Sequence, residues 1–153
     1  MPSARPFYRL VVVRHGDRAP IEAGYLSAGV VSAAAERALW ASRLPARDEV
    51  AALAARFPVE HDDAREAGHP RDGASRPFSN LTAQGLARAR RLGAALAPMD
   101  APLERVVARS TNYARTQLTA QALLDGALGA APRAPRVVPV RVAPGRLLSL
   151  IHI

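Results

Sequence analysis

Arg14, His15 and Arg18 stand close together in the run Arg14-His15-Gly16-Asp17-Arg18-Ala19-Pro20. The set suits phosphoryl chemistry. A guanidinium presents planar pairs of N–H donors that match phosphate oxygens, and it stays charged at any working pH. Positive neighbours also favour the neutral imidazole, and only a neutral ring has a lone pair with which to attack phosphorus. Gly16 lets the backbone turn tightly against a ligand, and the second ring nitrogen is open to an orienting hydrogen bond. Asp17 fits a turn, or a partner for arginine, better than a general acid. A second cluster, Arg109-Ser110-Thr111-Asn112-Tyr113-Ala114-Arg115-Thr116, offers another oxyanion ligand in Arg109 at the opening of a helix. Arg115, one turn inside that helix, reads as a structural ion-pairing residue. Taken singly, each cluster also reads as an ordinary polar turn after a strand.

Both clusters need a scaffold that ends strands beside them. Residues 7–13 form a short apolar, β-branched run that stops at Arg14, and residues 103–108 run likewise into Arg109. Length and flanks make both of them strands. Helices are predicted over 32–44, from an Asp48 cap to 57, from a Thr82 cap to about 97, and from a Thr111 cap to about 125 with Gly126 at C′. Residues 59–79 read as a loop. The proline-rich stretch 130–144 offers at most an edge strand over 137–140. This order is that of an α/β domain with parallel strands, in which ligands bind outside the strands' carboxyl ends. Arg109 and His15 are therefore expected to converge on one oxyanion.

Composition narrows the partners. The chain has 153 residues, room for one domain or part of one, and no cysteine, so disulfide scaffolds and thiolate metal sites are excluded. All 21 basic residues are arginine and 33 residues are alanine. The arginines are scattered among alanines, so the net charge of +8 reads as a GC-rich coding bias and not as a nucleic-acid surface. No apolar run reaches the ~18–20 residues of a membrane span. No signal-peptide-like stretch precedes the first strand, which makes the cytoplasm the default compartment.

The two clusters, with Asn80-Leu81-Thr82-Ala83-Gln84-Gly85 between them, resemble the histidine acid phosphatases, the branch of the histidine phosphatase superfamily marked by R-H-G-x-R-x-P. The resemblance follows the chain in order, through L-T-x-x-G and R-S-T-x-x-x-R-T to the proline-rich segment 139–144. It implies a phosphoglycerate-mutase-like three-layer fold, with a mainly parallel central sheet between flanking helices. It implies His15 as the nucleophile that becomes phosphohistidine, and Arg14, Arg18 and Arg109 as ligands of the phosphoryl oxygens of a small phosphomonoester. Neither metal nor cofactor is implied, and family members are often secreted or lysosomal.

The family's late His-Asp or His-Ala-Glu motif, which supplies the acid for the leaving alcohol, is not matched. His61-Asp62 lies between the two clusters, in the wrong order, and His69 stands in the same loop. Residues 1–146 are accordingly expected to be the N-terminal part of such a phosphatase domain, and 147–153 a non-native tail. A chain so truncated is expected to be poorly folded and inactive alone. Two other functions share the phosphate clamp: an inositol-phosphate phosphatase, which needs further basic groups, and a phosphate-binding domain without turnover.

Overall fold

The computed structural model describes residues 10–24, 31–62, 76–96, 106–129 and 138–142, together with the backbone of 151–152. It is a mixed α/β structure. Its elements in chain order are β1 (Val12–Val13), α1 (Ala33–Ser42), α2 (Arg47–Arg56), β2 (Val59–His61), α3 (Ala83–Leu96), β3 (Ala108–Ser110), α4 (Ala114–Leu128), β4 (Val140–Val142) and β5 (Ile151–His152). The sheet order is β1-β5-β3-β4-β2. β2, β4 and β3 form a parallel trio, with Ala108 and Val59 both opposite Val140. β5 runs antiparallel to both β3 and β1, so β1 and β3 point the same way and deliver their following loops to one edge.

α4 lies at the centre. Thr116, Gln117, Thr119 to Leu124 and Ala127 are all buried, as expected for a helix covered on most sides. It packs against α3 through glycines. A Cβ on Gly93 would collide with the Leu123 carbonyl, and one on Gly126 with the Arg90 carbonyl. Phe57, Leu81, Leu86, Ala108, Leu124 and Val140 fill the core between helices and sheet. Arg90 of α3 binds Asp125 of α4 at 2.7 Å and Glu49 of α2 at 2.9 Å, and Arg56 adds a second contact to Asp125 at 2.5 Å. Burial opposes the charge on Arg90, but the bonds from Glu49 and Asp125 outweigh it and raise its pKa.

One face of the sheet is core and the other is not. Along β3 and β4, Ala108, Ser110, Val140 and Val142 are buried, whereas Arg109, Arg141 and Glu60 of β2 are exposed. A layer over that second face, part of the expected three-layer fold, is not present among the described residues. No described helix is long and apolar enough to cross a membrane.

Several expectations are corrected. Residues 59–61, read as loop, form β2. The segment near 137–140 is not an edge strand: β4 lies between β3 and β2. Pro139 stands just before the strand, where its missing N–H interrupts no ladder bond. α2 is capped by Ala46, and Asp48 lies in its first turn. α4 begins at Ala114, not after Thr111, and Gly126 lies inside it, with Gly129 as its C-cap at φ 52°. α1 and α3 follow the expectation closely: Ser32 Oγ accepts from the Ala35 amide, and Thr82 Oγ1 from the Gly85 amide. Of the first expected strand, residues 7–9 lie outside the described residues, 10–11 are not strand and Val12–Val13 form β1; Leu103 and His69 also lie outside the described residues. Ile151–His152, set aside as tail, are paired in the sheet between β1 and β3.

Candidate functional site

The loop after β1 is held by backbone bonds to the segment before α3. The Ala19 amide donates to the Asn80 carbonyl at 2.9 Å, the Ser79 amide to Pro20 at 2.7 Å, and the Thr82 amide to Asp17 at 3.0 Å. Thr82 Oγ1 also donates to the Asp17 carboxylate at 2.9 Å while accepting from Gly85. Asp17 is thus tied by Thr82 through both its carbonyl and its carboxylate. Gly85 is required by the same contact, because a Cβ there would strike the Asp17 backbone, and a Cβ on Gly16 would lie 2.8 Å from the Gly85 carbonyl oxygen.

From the other side the loop is fixed to α4. The Gly16 amide donates to Thr119 Oγ1 at 3.1 Å, and that hydroxyl donates onward to the Arg115 carbonyl at 2.6 Å. At the end of β3, Thr111 and Thr116 bond through their hydroxyls at 3.0 Å, and Gln117 Nε2 donates to Asn112 Oδ1 at 3.1 Å. These buried polar pairs staple the strand-to-helix turn and account for the Ser-Thr-Asn composition of the second cluster.

His15 is half-buried at the mouth of this arrangement. Its Nδ1 lies 2.9 Å from the Gly16 carbonyl oxygen. A carbonyl only accepts, so in the neutral ring Nδ1 carries the hydrogen and Nε2 keeps its lone pair. The pKa of His15 is lowered. Burial is the largest cause, partly offset by the Gly16 bond, and the charges of Arg115, Arg18 and Arg14 lower it further. The environment therefore maintains the nucleophilic form of the imidazole.

An open cleft of about 860 Å³ lies over His15. Arg14 and Arg18 line it, as expected, and are joined by Trp40 of α1 and Arg88 of α3. Its far wall is the 20–24 segment, where the Gly24 amide donates to the buried Glu36 carboxylate at 2.6 Å. The carboxylates in the lining are Asp17, bound by Thr82, and Glu22. Among the described residues no cluster of His, Asp and Glu is placed to hold a metal.

Arg109 and Arg115 stand differently toward His15 than the sequence suggests. Arg109 sits in β3 on the exposed sheet face, does not line the cleft, and is not among the charges acting on His15. Among the charges, that of Arg115 lowers the His15 pKa most, although its side chain is not part of the cleft lining and packs over the Tyr113 ring at 4.3 Å. Because α4 starts at Ala114, Arg115 stands at the helix tip and not one turn inside. His61-Asp62 lies at the end of β2, away from the cleft lining. Trp40 and Arg88 were missed: both belong to helices read only for their apolar faces.

No protein-family model, curated protein or solved structure matches the chain.

Proposed function

We propose that this chain carries the nucleophile and oxyanion clamp of a histidine acid phosphatase, with His15 forming a phosphohistidine from a phosphate monoester. The observation that supports this best is the state of His15: Nδ1 tied to Gly16, the ring kept neutral, and two arginines beside it in an open cleft.

In the reaction, the Nε2 lone pair forms a bond to phosphorus while the ester P–O bond breaks and its electron pair leaves on the alcohol oxygen. Arg14 and Arg18 hold the equatorial oxygens, where charge is spread in the transition state, and Arg115 adds positive potential from α4. Water then attacks phosphorus, the N–P bond breaks, and the pair returns to Nε2. Alkyl esters need a proton for the leaving oxygen. Asp17 is engaged by Thr82. An activated aryl ester, whose leaving anion needs no proton, therefore isolates the step at His15.

The experiment is an alkaline, denaturing quench of the 153-residue chain after brief exposure to p-nitrophenyl phosphate labelled in its phosphoryl group. An acid-labile, base-stable label that disappears in His15→Ala supports the reading. Phosphate binding without any covalent label would favour a phosphate-binding domain instead.

A further inference from the structure

The cleft holds a third guanidinium besides those of Arg14 and Arg18. Arg88, on α3, is exposed into the same space as Arg14, His15 and Arg18, and among the described residues no carboxylate pairs with it. Beside it in the lining is Trp40, whose indole Nε1 is buried without a hydrogen-bond partner and whose ring is covered by the Arg43 guanidinium at 5.0 Å. A guanidinium can only donate, and one exposed in a cleft that also holds a fixed aromatic ring is complementary to an acceptor-rich anion.

We infer that Arg88 and Trp40 form a second oxyanion subsite, which selects substrates carrying another anionic group on the part of the molecule that leaves. This rests on the phosphoryl-site reading of His15 and adds the substrate class: doubly anionic phosphomonoesters over singly charged ones. Arg88 supplies charge and paired donors. Trp40, covered by Arg43, supplies a fixed aromatic wall. Glu22, the other carboxylate of the lining, opposes a second anion on its own side and so disfavours occupancy there.

The test is calorimetric titration of the whole chain with inorganic phosphate, with short diol bisphosphates of graded length, and with the matching diol monophosphates. Trp40 is the chain's one tryptophan, so its fluorescence reports separately whether a ligand reaches this wall. At the best length the bisphosphate is expected to bind roughly tenfold or more tightly than its monophosphate, the range of one charge-assisted contact, and to change the Trp40 emission. Arg88→Gln should remove that advantage by weakening the bisphosphate far more than the monophosphate, while Arg88→Lys should retain part of it. Because Arg88 is exposed, neither variant disturbs the core. An absent advantage at every length, or one that survives Arg88→Gln, overturns the subsite. Failure of inorganic phosphate to bind at all, or binding indifferent to Arg18→Gln, overturns the phosphoryl site itself, and the subsite with it.

Discussion

The Gly16 amide and the Thr119 hydroxyl, 103 positions apart, share a hydrogen bond of 3.1 Å. Through it the histidine loop is attached to the helix that carries Arg115, and the same hydroxyl satisfies the Arg115 carbonyl. Thr119→Val keeps the side-chain shape and removes both bonds, leaving the Gly16 amide without its partner. The expected cost is about 1–3 kcal/mol, read as a lower urea midpoint with an unchanged slope. Thr119→Ser, which keeps the hydroxyl, should recover most of the loss.

Gly85 faces the Asp17 backbone so closely that no side chain fits. In an open helix Ala would be better than Gly by roughly 1 kcal/mol. Here Gly85→Ala must instead push the histidine loop off α3. We expect a net destabilisation of about 1–3 kcal/mol together with weaker phosphate binding, because the displaced residues adjoin Arg18. A variant as stable as the parent would show that the loop and α3 are not in this contact.

Much of this arrangement was legible in the sequence. Caps and apolar spacing mark α1 and α3, and L-T-x-x-G marks the contact with Asp17, because threonine and glycine are both needed where two backbones meet. The position of β4 was hidden by Pro139, which signals an edge until one sees that it precedes the ladder. β2 was hidden by brevity: three residues ending in His61 carry no periodicity. Arg115 was misplaced by a short error in the start of α4, since Thr111 has the chemistry of a cap but is used to staple Thr116 inside the turn. Arg109 and Arg115 both follow naturally from the motif, and only the register of strand and helix decides which guanidinium acts on the charge of His15.

The two glycines between α3 and α4 make the same point about packing. Gly93 and Gly126 meet the backbone of the opposite helix, although Gly126 looks from sequence like a helix end. Ala at Gly93 should destabilise by about 1–3 kcal/mol through overpacking, against the favourable helix propensity of the substitution. A raised thermal midpoint for Gly93→Ala would refute the close crossing. Asp125→Asn, which weakens the contacts of Arg56 and Arg90 at the partly exposed rim of the same interface, should cost only about 1 kcal/mol and be screened by salt.

The titration of His15 separates the two arginines directly. Its folded-state pKa is lowered by burial first and then by Arg115, Arg18 and Arg14, against the raising effect of the Gly16 bond. A lowered folded value means that the unfolded chain binds the proton more readily. The contribution of His15 to stability is therefore complete above the ordinary imidazole value near 6.5 and is lost as pH falls through it toward the folded value. His15→Gln should flatten the stability profile in that window. Followed by NMR of the imidazole carbons, Arg115→Met should move the titration upward by removing a nearby charge, while Arg109→Met, on the exposed sheet face, should leave it where it is. The opposite result, a shift with Arg109 and none with Arg115, would return Arg109 to the clamp and place α4 in a different register against the histidine loop.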